Sequence, residues 1–141
     1  MNLMFSEKLE LICEGLAVWE SVKDTRVLEF FEQEVSRIGL DIQNVFLLEP
    51  EEPNCTGTQT TSSAVKSRRS YLIFLHPKDS VTFREIKWTI RHELAHIIYG
   101  DCNKSRFMWL PEGVRMALAD AYYLLIGEPR ANRYADSFDD Y

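Results

Sequence analysis

The residues best suited to chemistry stand together in His92-Glu93-Leu94-Ala95-His96, an H-E-x-x-H pattern. On an α-helix, side chains four apart lie one above the other on a single face. His92 and His96 can therefore offer two imidazoles to one metal ion. Glu93 stands one step round the helix, within reach of a water on that ion as a general base but poorly placed to be a ligand. Catalytic zinc takes three protein ligands and leaves its fourth position to water, so a further ligand must come from elsewhere. The longer H-E-x-x-H-x-x-G-x-x-H pattern is absent, because Cys102 stands where its third histidine would fall. That leaves a downstream carboxylate as the best source. Glu112, near the start of a later helix and fifteen intervening residues beyond His96, is the first choice. A closed structural site, with Cys102 or His76 as an additional ligand, is the competing arrangement.

These residues need a rigid carrier. Thr82 with Glu85 three residues on forms a capping box, and Phe83, Ile86, Ile90, Leu94 and Ile97 keep a helical period up to Gly100. The metal motif thus falls in the last half of a well-started helix. Before it, Ser70 to His76 holds the continuous apolar run Tyr71-Leu72-Ile73-Phe74-Leu75, which predicts a central strand. Asp41 to Leu48 predicts another. Ser6 to about Val22 has Leu9, Ile12, Leu16 and Trp19 at helical spacing, and Asp24 or Thr25 can cap a second helix with Val27, Phe31, Val35 and Ile38 inside. Residues 49–70 are polar and rich in threonine and serine. They read either as a loop or, over Thr58 to Val65, as a polar edge strand. Lys66, Arg68 and Arg69 read as an exposed turn. Pro111 suits the first turn of a helix that runs through Leu125 and is closed by Gly127 and Pro129. A short helix, Arg130 to Phe138, then leads to an acidic end.

The expected class is α+β, a small mixed sheet packed on the H-E-x-x-H helix and a following glutamate helix, with N-terminal helices, all in one domain over residues 1–141. A hydrophobic content of 45% suffices for a core. The net charge of −6 argues against nucleic acid or an anionic membrane as partner. No apolar run approaches the ~18–20 residues that span a bilayer, and the first residues lack the pattern of a signal peptide. Cys13, Cys55 and Cys102 are odd in number and widely spaced, so they read as free thiols and the expected compartment is the cytoplasm. Oligomeric state is not legible.

Two family resemblances extend this reading. Trp109-Leu110-Pro111-Glu112-Gly113 resembles the W-L-x-E-G segment that carries the third ligand in gluzincin metallopeptidases. With His92, Glu93 and His96 it makes roughly the second half of the chain similar to the very small zincin domains called minigluzincins. The stretch from His92 to Asp101 also resembles the ImmA/IrrE peptidases, in which the ligand glutamate opens an E-x-x-A segment followed by an aromatic and an alanine. Glu128-Pro129-Arg130-Ala131-Asn132-Arg133-Tyr134-Ala135 has that shape. The first resemblance implies Glu112 as third ligand; the second implies Glu128, with the helix from Pro111 merely packing. Both imply one zinc ion, Glu93 as general base, a peptide or protein substrate and peptide-bond hydrolysis. The second also admits a zinc-binding regulatory or interaction module with little general peptidase activity. Hydrolysis needs a donor for the developing oxyanion, for which Arg115, Tyr122, Tyr123 and His76 are candidates. Asp120 is a candidate for orienting a ligand histidine. The acidic end raises one more expectation, that Asp136, Asp139 or Asp140 folds back over the metal.

Overall fold

The strands are few and short, and their order explains where the helices lie. In the computed structural model, which describes residues 17–57, 59–102 and 109–141, they are β1 (Trp19–Ser21), β2 (Val45–Pro50), β3 (Ser63–Ser67) and β4 (Ser70–Phe74). They form one mixed sheet in the order β1-β2-β4-β3. The two central strands run parallel, with Leu47 opposite Ile73, and both edge strands pair antiparallel. A two-residue turn joins β3 to β4, and Arg68 there has φ 57°, as the right-handed twist of a tight hairpin requires.

Period-two alternation gives the sheet two buried faces. Val45, Leu47, Ile73 and Leu75 turn towards the helices, where they meet Val27, Phe31, Val35, Ile90, Leu94 and Ile97. Phe46, Leu48, Leu72 and Phe74 turn the other way and pack with Ala17 and Trp19. The helix α1 (Thr25–Arg37) starts where Asp24 accepts hydrogen bonds from the Arg26 and Val27 amides. The helix α2 (Phe83–Ile98) starts at the Thr82–Glu85 capping box read from the sequence. It packs on α1 and on the sheet, and it carries the H-E-x-x-H residues.

After the connection come α3 (Glu112–Tyr122), a π-helical turn (Tyr123–Gly127) and α4 (Glu128–Asp136). Tyr123, Gly127 and Glu128 all keep right-handed helical dihedrals, so this is one helix with a widened turn inside it. Pro129 accounts for the widening. Its ring would collide with the Leu125 carbonyl in a regular α-helix, and it has no N–H to donate there. The chain instead closes a wider turn, with the Glu128 amide donating to the Tyr123 carbonyl five residues back. Beyond the turn, α4 lies along α2 through Ala131 and Ala135, both fully buried, whose small side chains let the helices approach. By contrast α3 buries no residue, and Val114, Met116 and Leu118 are exposed on it.

The α+β class and the small mixed sheet are therefore observed. Four local expectations change. The strand expected over Asp41 to Leu48 starts only at Val45, after a 3-10 turn at Ile42–Asn44 that Asp41 caps. Residues 19–21 form a strand, because pairing with residues 48–50 buries Trp19 against Phe74; the rest of the helix expected from Ser6 lies outside the described residues. The polar edge strand exists, but at Ser63–Ser67. The helix from Pro111 does not end at Gly127 and Pro129; it passes through them. Among the described residues no helix is long and apolar enough to cross a membrane, and Cys55 and Cys102 are free thiols.

Candidate metal centre

The capped start and apolar face of α2 bury its last turns, so His92, Glu93 and His96 all lie inside the protein. The helix then stops in a Schellman motif. Gly100 takes φ 74°, its amide donates to the Ile97 carbonyl, and the Asp101 amide donates to the His96 carbonyl at 2.8 Å. This reversal folds Asp101 back under the helix. Its carboxylate, 1% exposed, accepts a hydrogen bond from His96 Nδ1 at 2.9 Å and another from Arg130 Nη2 at 2.8 Å. A carboxylate in that position fixes the tautomer, leaving the His96 Nε2 lone pair free.

That lone pair meets two others. His96 Nε2 lies 3.2 Å from His92 Nε2 and 2.7 Å from Glu128 Oε1, and His92 Nε2 lies 3.1 Å from the same oxygen. With both Nε2 atoms unprotonated, three acceptor atoms this close repel one another unless a cation stands among them; an Nε2–H on His92 would instead donate to Glu128. A bound zinc with bonds of about 2.0–2.1 Å holds tetrahedral ligand atoms roughly 3.3 Å apart, so the donor set fits such an ion. His92, His96 and Glu128 thus form a group able to hold a metal. Without a metal, the same contacts shift the titration of the group. The neighbouring His92 and His96 hold the Glu128 carboxyl well below the usual range, against some burial. Burial lowers the His96 pKa, but Glu128 and Asp101 outweigh it and the net shift is upward.

Glu93 is 2% exposed, and burial pushes its carboxyl up to about 7. Its Oε2 is buried without a protein hydrogen-bond partner. It lines, with Trp88, His92, Tyr123 and Glu128, an open cleft of about 970 Å³, which is a normal size for a ligand site. The Trp88 ring stacks on His92 and the Tyr123 ring on His96, at centroid separations of 5.0 and 4.9 Å.

The other sequence candidates fall elsewhere. Glu112 is exposed at the first residue of α3. It precedes Glu128 on the same continuous helix by sixteen residues, which at 1.5 Å per residue is roughly 24 Å. Glu128, the alternative read from the sequence, lies at the two histidines, and Glu112, the first choice, is not brought to the group. Asp120 is exposed on α3, roughly 12 Å along the axis from Glu128; Asp101 does the orienting assigned to it. His76 is held away by Thr56 Oγ1 and the Gln59 carbonyl, at 3.3 and 3.1 Å. Cys102 donates to the Ala64 carbonyl rather than joining the group. Arg115 lies half-buried near the start of α3, outside the metal group. Tyr122 accepts from Arg130, whereas the Tyr123 hydroxyl lies 3.4 Å from His96 Nε2. The acidic end does fold back, but onto Trp88 and Arg91 rather than the histidines: Asp136 accepts from Trp88 Nε1 at 2.8 Å, and Asp140 pairs with Arg91.

No protein-family model matches the chain, and no curated protein matches it significantly. The site is therefore read from its own geometry.

Proposed function

We propose that the chain is a zinc-dependent peptidase of the zincin type, with His92, His96 and Glu128 as ligands and Glu93 as general base. The observation that carries this reading is the convergence of His92 Nε2, His96 Nε2 and Glu128 Oε1 at the cleft that buried Glu93 also lines. The use of Glu128 favours the ImmA/IrrE resemblance over the W-L-x-E-G one. When bound, the metal polarises a substrate carbonyl and makes water acidic enough to attack it near neutral pH. Glu93, buried beside the group and lining the same cleft, is placed to take the proton of the attacking water and pass it to the leaving amine. Asp101 holds the His96 ring in its binding tautomer, and Arg130 holds Asp101.

Replacing Glu93 by Gln keeps the volume and removes the base. Peptide hydrolysis is expected to fall ~10²–10⁴-fold while zinc content, measured by elemental analysis, stays at one per chain. A Glu93→Gln protein that binds zinc and cleaves at the wild-type rate rules the mechanism out.

A second reading draws on α3. Val114, Met116, Leu124 and Leu125 are at least half exposed there and in the turn after it, apolar side chains that a binding partner would cover. This favours a zinc-stabilised module that binds another protein. Stoichiometric zinc with no chelator-sensitive cleavage of a peptide library would decide for the module.

A further inference from the structure

The two histidines of the centre are held in different ways. His96 has a carboxylate on its outer nitrogen, that of Asp101, which Arg130 holds in turn. His92 has none. Its Nδ1 is buried and has no hydrogen-bond partner among the described residues. The polar contacts of the ring are all at Nε2, with Glu128 and His96. A ligand histidine usually donates its second ring N–H to a carboxylate, carbonyl or water, which fixes the plane of the ring. An imidazole anchored at one nitrogen alone turns about its side-chain torsions unless packing stops it.

Packing does stop it. Trp88 precedes His92 by four residues on α2, so the two side chains lie one above the other. Their rings are stacked, with centroids 5.0 Å apart and planes 21° from parallel. The His96 ring meets His92 edge-on, at 4.8 Å and 84°. Tilting the His92 imidazole out of its plane therefore drives it into the indole. The indole is fixed as well, because its Nε1 donates to Asp136 at 2.8 Å. Asp136 ends the α4 helix that Glu128 begins. The helix that brings a carboxylate to the group thus also latches the ring beside it. Trp88 and His92 both border the open cleft, where an unrestrained imidazole has room to turn.

Resting on the metal-site reading above, we propose that Trp88 is a positioning residue of the centre. Its indole face keeps the His92 imidazole turned with Nε2 at the metal position, in place of the hydrogen bond missing at Nδ1, and Asp136 keeps the indole there. One histidine is oriented by hydrogen bonding and the other by stacking.

The test uses zinc and cobalt(II) as probes, zinc for affinity by competition with a chromogenic chelator and cobalt for ligand-field absorption, which reports the geometry of the donor atoms. Trp88→Leu removes the flat ring but leaves an apolar side chain. It is expected to weaken zinc binding roughly 3–10-fold, about what an aromatic pair contributes, and to shift the cobalt bands. Trp88→Phe restores a ring and is expected to recover most of the affinity and the wild-type cobalt spectrum. A purely space-filling role predicts no such difference between the two, and Trp88→Phe no better than Trp88→Leu overturns the inference. So does a Trp88→Leu protein with unchanged affinity and spectrum. Asp136→Ala, at an exposed position, tests the latch without removing a ring. It is expected to weaken zinc binding in the wild-type background and to have no further effect in the Trp88→Leu background; an equal loss in both means that Asp136 acts apart from the indole and overturns the inference. If Trp88→Leu does not fold, Asp136→Ala decides alone, and wild-type affinity with a wild-type cobalt spectrum overturns the inference. A wild-type chain that binds neither zinc nor cobalt overturns the metal-site reading itself, and this inference with it.

Discussion

The candidate for a third ligand shows how far single residues can be read in advance. His92, Glu93 and His96 follow from helical spacing alone, because both histidines must share one face of α2. Choosing between Glu112 and Glu128 needs the path of the chain after residue 98, and spacing does not supply it. The W-L-x-E-G likeness pointed to Glu112, which the fold places at the far, exposed end of the same helix. Asp101 went unassigned, although a signal was present: Gly100 directly after the helix is the usual residue for a reversal, and the acid that follows it is then carried back to the last turn. These assignments predict an order of effects. Asp101→Ala is expected to weaken zinc binding by about 10–100-fold, the usual cost of losing a group that orients a ligand. Glu128→Ala should weaken it further, and Glu112→Ala should leave it unchanged. Competition against a chromogenic chelator measures all three, and a loss in Glu112→Ala as large as in Glu128→Ala would contradict the site.

At the scale of elements, regular structure was legible and its irregularities were not. The capping box, β4 and α1 formed as their patterns predicted, whereas the strand expected from Asp41 begins only at Val45, because Asp41 caps a short 3-10 turn at Ile42–Asn44. Gly127 with Pro129 signalled the end of a helix, yet the chain answers Pro129 with a wider turn and continues. Tertiary packing decides this: Tyr123 on His96, Glu128 at the histidines, and Ala131 and Ala135 against α2 all gain from continuing. Trp19 fits a helical stripe from Leu9, but it is worth more paired in a strand beside Phe74. Gly127 has a separate duty in the turn. A Cβ added there would come within 3.1 Å of Asp101 Oδ2 and 3.2 Å of its Cγ, and Asp101 cannot move without releasing His96 and Arg130. Gly127→Ala is therefore expected to destabilise the fold by ~1–3 kcal/mol and to weaken zinc binding with it. Urea denaturation and the same chelator competition would measure the two effects, and an unchanged zinc affinity would show that Asp101 has more freedom than its two partners suggest.

Across the whole molecule, Arg91 ties distant parts of the chain beside the site. It is 3% exposed, pairs with Glu34 of α1 at 3.1 Å, and holds Asp140, while the Phe138 ring lies 3.8 Å from its guanidinium carbon. Glu34 is nearly as buried, and Glu34→Ala removes one of the two carboxylates on Arg91, which is expected to cost about 1.5–3 kcal/mol in a urea unfolding experiment. Asp140 is more than half exposed and should matter much less. Acid should act through both. Arg91 lowers the Asp140 carboxyl from its ordinary 3.8 to about 2. Burial opposes ionisation of Glu34, but Arg37 and Arg91 outweigh it and leave its carboxyl below the ordinary 4.5. A lowered carboxylate pKa contributes stability that is complete above the unfolded value and is lost as pH falls through the folded one. The tail should therefore loosen from α2 as pH drops from about 4 towards 2. Trp88, whose indole N–H is bonded to Asp136, would report this by fluorescence; a signal flat over that range would exclude it.

The separation of α3 from the core has a consequence for how the protein is cut. About thirty residues lie between His96 and Glu128, and a metal bound by both ends of that segment would close it like a staple. Such a clasp limits how far the segment can open, since a closed loop has fewer conformations than a free one. Among the described residues, α3 buries none of its own side chains, so its backbone is open to a protease wherever the segment loosens. Limited proteolysis should thus become a gauge of metal occupancy, with cleavage within residues 109–126 slow in the zinc-loaded chain and fast once a chelator has stripped it.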